Sequence, residues 1–148
     1  MSSSKLQPVL RRWLALLLWL LACNGTAEQK QVFGDYEVHY IILPTVSLNA
    51  EVAARYGLPR GRNRALVNIS ILDADGAGVA AAVEGRSTNL LGQAQTLDFN
   101  EVIEGDAIYY LALLRHADEE YHRVAIDVAL PNGEVGALRF QQQMFWEQ

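Results

Sequence analysis

The segment YHRVAIDVALPNGEVGALRF (residues 121–140) decides the fold, because its apolar residues alternate with polar ones on both sides of a turn. Val124, Ile126 and Val128 occupy every second position, which is the period of a strand with one buried face. The letters PNGE that follow are typical of a tight turn, since Gly and Asn tolerate its backbone angles. Leu138 and Phe140 then resume the alternation. The segment therefore predicts two strands joined by a turn, each with one face in a core.

Five further segments predict strands. GDYEVHYIIL, QTLDFNEV and DAIYYLALL alternate in the same way, ALVNISIL is an apolar run with β-branched residues, and VAAAVEGRST is a weaker strand rich in alanine. Residues 28–31 are a short polar lead. The stretch SLNAEVAARYGLP predicts a short helix after the first strand, with Asn49 as its N-cap and Gly57 and Pro59 at its end. About seven strands with one short helix predict an all-β sandwich. No linker or repeat divides the chain, so residues 28–148 are expected to form one domain.

Residues 1–27 have the organisation of a secretory signal peptide. Lys5, Arg11 and Arg12 give a basic start, and the apolar run that follows is about ten residues long, half of what a membrane-spanning helix needs. Small residues before Glu28 favour cleavage after Ala27, which predicts a periplasmic protein. The alternative is a lipobox in LLAC, where Cys23 would be lipidated and would anchor the protein to a membrane. Cys23 is the only cysteine, so neither cleavage leaves a disulfide to form.

The charge of the mature chain argues against nucleic acid as a partner. Removing the three basic residues of the signal from the twelve in the chain leaves nine against seventeen acidic residues, a net charge of −8. Such a surface repels a phosphate backbone. We expect no nucleic-acid partner, and membrane contact only if Cys23 is lipidated.

Several separated segments together resemble a family of exported bacterial proteins described as domain of unknown function 4426. They are YEVHY, ARYGL, LVNISIL, NLLGQAQTLDF, EGDAIYYLA and the aromatic C-terminal strand, with the signal before them. The resemblance extends over nearly the whole mature chain. It implies a Gram-negative exported protein with an immunoglobulin-like β-sandwich, and it implies no activity or cofactor. The family's usual signal ends in a small-x-small site, which supports cleavage after Ala27.

Asp35, Glu37 and His39 are the candidate metal ligands, because strand alternation would place them on one exposed face. No short His-x-His or Cys-x-x-Cys spacing accompanies them, so we expect no metal or other cofactor. The alternative function is a metal-dependent or hydrolytic enzyme built around His39, His116 and His122 with nearby carboxylates. The chain has no Gly-x-Ser-x-Gly motif and no phosphate loop, and we therefore expect no enzyme.

The segment RGRNR is the largest concentration of positive charge in an acidic chain, and Arg60, Arg62 and Arg64 are its candidate partner-binding residues. Arginine forks suit carboxylate or phosphate groups on an envelope component. Tyr109, Phe145 and Trp146 are the aromatic residues that the pattern does not assign to the core, and an exposed aromatic patch would suggest protein recognition. The sequence thus predicts a non-catalytic binding or accessory domain of the envelope, with its partner unidentified.

Overall fold

Nine strands form two antiparallel sheets that pack face to face, which confirms the predicted all-β sandwich. The computed structural model describes residues 28–147. The five-stranded sheet has the order β1-β2-β3-β7-β6, with bounds Gln29–Phe33, Tyr36–Pro44, Arg64–Leu72, Ala107–Arg115 and Asn100–Glu104. The four-stranded sheet has the order β5-β4-β8-β9, with bounds Ala94–Leu97, Ala82–Asn89, Glu120–Ala129 and Val135–Met144.

Two strands more than the predicted seven are present, and each has a physical explanation. Residues 29–33 form β1, where a polar lead was expected at residues 28–31, because an edge strand exposed on both faces shows no alternation. The segment QTLDFNEV contains two strands, β5 and β6, because the chain leaves one sheet and enters the other at Asp98 and Phe99. Strand β9 ends at Met144, so Trp146 lies beyond it.

The predicted short helix is present as α1 (Ala50–Arg55). It comes after the second strand rather than the first, because the unpredicted strand β1 precedes the strand that was expected to be the first. Asn49 caps the helix by accepting the N–H of Glu51 at 2.8 Å. The chain leaves the helix through Gly57, whose φ of +63° is a left-handed conformation suited to glycine. A short 3-10 helix (Thr45–Ser47) connects β2 to this segment. Within residues 28–147, no helix is long and apolar enough to cross a membrane.

The core lies between the sheets and is built from the alternating apolar residues. Val124, Ile126, Val128 and Leu130 are all buried, as the pattern predicts, and Tyr110 is buried with them while Phe140 packs at the margin. The ring of Phe99 packs closely against the backbone of β4 at Gly85, where no side chain stands in its way. A Cβ at Gly85 would lie 2.9 Å from the ring of Phe99.

The two ends of the sandwich differ in their connections. We call one the turn end: it contains the turns β1–β2, β3–β4, β6–β7 and β8–β9. We call the other the arginine end: it contains the turns β4–β5 and β7–β8, residues 56–63 before β3, and residues 145–147 after β9. Strand register fixes this assignment, since Arg64 pairs with Arg115 and Glu120 pairs with Met144.

Candidate functional site

A cleft of about 100 Å³ opens on the outer face of the five-stranded sheet. Its floor comes from three adjacent strands. Leu43 of β2 pairs with Leu66 of β3, and Asn68 of β3 pairs with Leu111 of β7, so these four side chains share one face. Val102 and Tyr109 continue the floor on β6 and β7. Because β2 and β3 are apolar on both faces here, the sheet needs a cover on its outer side.

The segment from the 3-10 helix to Leu58 supplies that cover, with Leu48, Val52 and Leu58 facing the floor. Thr45 fastens the segment at its base. The Thr45 hydroxyl oxygen is fully buried, lies 3.0 Å from the carbonyl of Gly61 and 3.1 Å from that of Arg64, and accepts the N–H of Gly61 at 3.0 Å. The hydrogen bonds of Thr45 therefore join the start of the covering segment to the residues that lead into β3, and this holds the helix over the sheet.

Tyr56 joins the far side of the cover to the sheet by donating a hydrogen bond from its hydroxyl to the carboxylate of Glu104 on β6. Burial raises the pKa of Tyr56, and Glu104 raises it further. Burial also raises the pKa of Tyr109, with smaller contributions from Glu28 and Glu104. Both phenols are therefore protonated at neutral pH and can donate hydrogen bonds.

Asn68 is the polar group at the centre of this floor. Its Oδ1 atom is buried and has no hydrogen-bond partner among residues 28–147. Leaving a buried acceptor unpaired costs about 1–3 kcal/mol. The cleft therefore combines apolar walls with one acceptor that a donor could satisfy, which is the usual composition of a site for a small molecule or a side chain.

Sequence reasoning did not identify the cleft. Its residues are spread from Leu43 to Leu111, and only tertiary pairing brings them together. Two signals were available. One is that Ile41, Ile42 and Leu43 are consecutive apolar residues, which means that both faces of the strand are covered there. An asparagine inside the apolar run ALVNISIL was the other.

The candidate metal ligands are not gathered as expected. Asp35 lies in the β1–β2 turn, outside the strand that carries Glu37 and His39. His39 Nε2 is 3.0 Å from Glu37, and its Nδ1 is 3.6 Å from Glu28, so both ring nitrogens face carboxylates. Across the described residues, no group of three or more His, Cys, Asp or Glu could hold a metal ion.

The three histidines considered for an enzyme have separate environments. His39 lies on the outer face of the five-stranded sheet, and the His116 ring bonds the carbonyl of Ala117 at 2.8 Å. His122 is buried between the sheets, where its Nδ1 is 2.7 Å from the hydroxyl of Ser87 and its Nε2 is 2.8 Å from Glu120. Ser87 is fully buried, so this Ser–His–Glu chain has no access to a substrate in the structure.

Glu120 is the charged end of that buried chain. Partial burial by itself raises the pKa of Glu120, but the N–H of Ala117, the ring of His122 and the amide of Asn89 outweigh it and lower the pKa to about 2. The carboxylate is therefore ionised at all ordinary pH values. The network supports the arginine end from inside the sandwich.

The three arginines proposed for partner binding lie at the arginine end. Arg60 donates to the carbonyl of Val46 at 2.7 Å, and Arg62 stacks on Trp146 with 4.4 Å between its guanidinium carbon and the ring centroid. Arg64 begins β3. Phe145 and Trp146 are exposed, as expected, whereas Tyr109 lines the cleft. Cys23 and the predicted signal lie outside the described residues.

Comparison with known families gives a match for nearly the whole described chain. The model of the family Domain of unknown function (DUF4426) matches residues 30–147. The chain belongs to this family. A crystal structure of a DUF4426 protein from Pseudomonas aeruginosa PAO1 is 31% identical, with a TM-score of 0.73, over 82% of this chain and 97% of that one. No curated protein matches the chain.

More distant structures share the fold of this DUF4426 member. FetP of uropathogenic Escherichia coli strain F11, expressed in the E. coli periplasm, is 15% identical with a TM-score of 0.50, over 81% of this chain and 92% of FetP. A copper-bound variant of FetP is 14% identical with a TM-score of 0.52, over 80% of this chain and 93% of that one. At these identities the likeness concerns the fold alone.

Proposed function

We propose that the protein is an exported, non-catalytic binding protein whose cleft holds an apolar group bearing a hydrogen-bond donor. The unpartnered Oδ1 of Asn68 carries this proposal. A leucine at position 68 would fit the apolar surroundings without an unpaired acceptor, so the amide lowers the stability of the unliganded protein. A donor on the ligand would satisfy the acceptor and offset that cost.

The size of the cleft limits the bound group. A dry cavity of about 150 Å³ can hold benzene, so about 100 Å³ suits a group of a few carbon atoms. Because the cleft opens to solvent, the rest of a longer ligand can remain outside. The short alkyl end of a small molecule and a single side chain of a peptide are both compatible with this size.

We place the protein in the periplasm, with cleavage after Ala27. The predicted signal peptide supports this location, and the periplasmic expression of the fold neighbour FetP agrees with it. A lipid anchor at Cys23 is the alternative proposal. The intact mass of the protein from membrane and soluble fractions distinguishes a chain that begins at Glu28 from one that carries acyl groups on Cys23.

Catalysis and metal binding receive less support from the geometry. Copper binding by the FetP variant suggests testing the same for this chain, but the described residues contain no ligand cluster that fits a metal. The buried position of Ser87 argues against a hydrolase based on His122. Elemental analysis of the purified protein and labelling with a fluorophosphonate test these two alternatives.

The cleft can be tested with two isomeric probes, pentan-1-ol and 1-methoxybutane, which differ in having or lacking an O–H donor. We expect the alcohol to raise the melting temperature more than the ether at equal concentration, because only the alcohol can donate to Asn68. The substitution Asn68→Leu should abolish this difference. It should also stabilise the unliganded protein by about 1 kcal/mol, since the unpaired acceptor is removed.

The matched control is Asn100→Leu, the same substitution at an exposed position of β6 in the same sheet. It should leave both the stability and the preference for the alcohol unchanged. Equal effects of the two probes on the native protein would contradict the proposal, as would an Asn68→Leu protein that still prefers the alcohol.

A further inference from the structure

We propose that the arginine end docks the protein on an anionic lipid surface, with Leu90 and Leu91 entering the headgroup region and arginines contacting lipid phosphates. This inference does not depend on the cleft and concerns a different part of the molecule. It departs from the expectation based on the sequence, in which the protein contacts a membrane only if Cys23 is lipidated. Three features of this end and one of the turn end support it: a well-bonded turn with exposed leucines, aromatic residues on a second projection, arginines without ion-pair partners, and the acidic charge of the turn end.

The β4–β5 turn presents two consecutive leucines to solvent. Leu90 is 62% exposed and Leu91 is 84% exposed. The turn is nevertheless held firmly, because the Asn89 side chain accepts the N–H groups of Leu91 and Gln93 and donates to Gln93 Oε1 and Glu120 Oε1 at 2.7 and 2.8 Å. A well-bonded turn that exposes aliphatic side chains indicates a contact with another apolar phase.

The residues after β9 add aromatic side chains to the same end. The N–H of Trp146 donates to Asp118 in the β7–β8 turn at 2.9 Å, which fixes residues 145–147 beside that turn. Phe145 is exposed, and Arg62 stacks on the Trp146 ring. Tryptophan and arginine are the residues that suit the boundary between headgroups and water, because each joins an apolar part to a polar one.

The arginines at this end are not neutralised. Arg64 and Arg115 are direct partners on adjacent strands, and like charges in that position destabilise a sheet. Within residues 28–147, neither they nor Arg60 and Arg62 form an ion pair.

The acidic residues of the arginine end do not offset this charge by direct pairing. Asp118 accepts the N–H of Trp146, and Glu120 is bonded to His122, while Glu119 and Glu147 are exposed. These four acidic residues equal the four arginines in number, so the arginine end as a whole is close to neutral although its arginines are not ion-paired. Phosphate oxygens of anionic lipids would supply the missing partners, since basic side chains near such a surface each strengthen binding.

The turn end carries acidic charge without any basic residue in its turns, and this asymmetry would orient the molecule at an anionic surface. The acidic residues of its turns are Asp35, Asp73, Asp75, Asp106 and Glu134, and these turns contain no arginine or lysine. A negative surface therefore repels this end more strongly than the arginine end, whose arginines can contact the surface.

A lipid surface fits the shape of the arginine end better than an acidic protein does. The apolar side chains stand on two separate projections, the β4–β5 turn and the segment after β9, and they do not line a groove. Projecting aliphatic residues can enter a deformable interface independently of one another, whereas a folded partner needs complementary pockets for each.

The experiment measures binding to vesicles of phosphatidylcholine with and without about 30 mol % phosphatidylglycerol. The protein is the mature product of the full-length chain carrying Cys23→Ser, which removes any lipid anchor. We expect binding to the anionic vesicles only, with a loss at high salt. Once residues 1–27 are removed, Trp146 is the only tryptophan, so a blue shift of its emission reports contact of the arginine end.

Two pairs of substitutions separate the arginine end from the rest of the surface. Leu90→Ser with Leu91→Ser should weaken binding at least tenfold, because two aliphatic side chains no longer leave water. The matched control is Val32→Ser with Val135→Ser, which removes valines that are 59% and 62% exposed near the turn end and should change nothing. Arg64→Gln alone should weaken binding about fivefold.

Three results would overturn the proposal: no binding to either vesicle, binding that both serine pairs weaken equally, or binding unaffected by the leucine substitutions. If the vesicles fail but immobilised poly-glutamate retains the protein through Arg64, the arginine end binds an acidic protein and the lipid proposal is wrong.

Discussion

The two ends of the sandwich are stabilised in different ways. The turn end consists of three short hairpin turns and the β3–β4 connection between the sheets, which is held by bonds within itself: Asp73 accepts the N–H groups of Asp75 and Ala77 at 2.9 and 3.0 Å. The arginine end depends on contacts between residues far apart in the chain, such as Ser87 with His122 and Asn89 with Glu120. A substitution at the turn end should therefore act locally, whereas one at the arginine end should affect several loops together.

This difference should also determine how substitutions affect stability at the two ends. The turn end should tolerate variation because its turns are closed by local bonds, as in those that Asp73 and Asn132 accept within their own turns. The arginine end carries exposed apolar and basic groups on a frame that a buried polar network holds in place. The three predictions below test this contrast, from the largest effect to the smallest.

Replacing His122 with leucine should have the largest effect, a loss of about 3 kcal/mol in the free energy of unfolding. The substitution leaves the buried Ser87 hydroxyl without a partner and removes the hydrogen bond to Glu120. Urea denaturation followed by circular dichroism measures this change. Hydrogen exchange should also become faster in the β4–β5 and β7–β8 turns.

The matched control is His39→Leu, which also removes a histidine facing carboxylates, but on the outer face of the sheet. Its denaturation midpoint should stay close to that of the native protein, because His39 is only half-buried and its partners Glu28 and Glu37 are exposed, so that solvent screens these pairs. Equal losses for the two substitutions would mean that the buried network is no more important than a surface pair.

Acid should weaken the protein through Glu120. The pKa of this carboxyl is about 2 in the folded protein against 4.5 for the unperturbed group, so folding is favoured by its ionised form. Its contribution is complete above the unfolded pKa and is lost as the pH falls from about 4.5 towards 2. Melting temperatures of the native protein should decline over this range.

The variant Glu120→Gln isolates that contribution. It should be less stable than the native protein at pH 7, and the two melting temperatures should converge as the pH approaches 2. A constant difference between them across the acidic range would show that Glu120 does not cause the acid dependence.

Relieving the pair Arg64 and Arg115 should have the smallest effect, and in the stabilising direction. Arg115→Gln removes one of two like charges on directly paired residues, so we expect a gain of a few tenths of a kcal/mol at low salt. A double-mutant cycle with Arg64→Gln measures the repulsion. Arg139→Gln serves as a control, because Arg139 is paired with Asp127 at 2.8 Å and its loss should bring no gain. A gain of the same size from Arg139→Gln would refute the repulsion.

Most of the fold could be predicted from the sequence because its central strands report their burial directly. Val124, Ile126 and Val128 alternate because one face of β8 is in the core and the other is in water. Strand β1 escaped prediction because an edge strand with little burial leaves no such pattern. The break between β5 and β6 was also hidden, since alternation continues through Leu97 and Phe99 while the chain changes sheets.

The candidate sites were less predictable because they depend on tertiary pairing. Local sequence identified Arg60, Arg62 and Arg64 as a basic loop, but their proximity to Arg115 and Trp146 follows from strand register and the path of the chain after β9. The significance of Asn68 depends on what surrounds its amide, and those residues come from four strands and the covering helical segment. An asparagine in an apolar run indicates that a polar side chain interrupts the run, but the sequence does not show whether its amide has a hydrogen-bond partner.

The unequal distribution of charge between the two ends should also govern how the protein adsorbs to solid supports. With a net charge of −8 after loss of the signal, the mature chain is expected to bind an anion exchanger. The arginine end, however, offers a cation exchanger a separate site, so the protein should be retained by both resins at low ionic strength, in opposite orientations. We expect Arg64→Gln to elute at lower salt than the native protein from the cation exchanger but not from the anion exchanger.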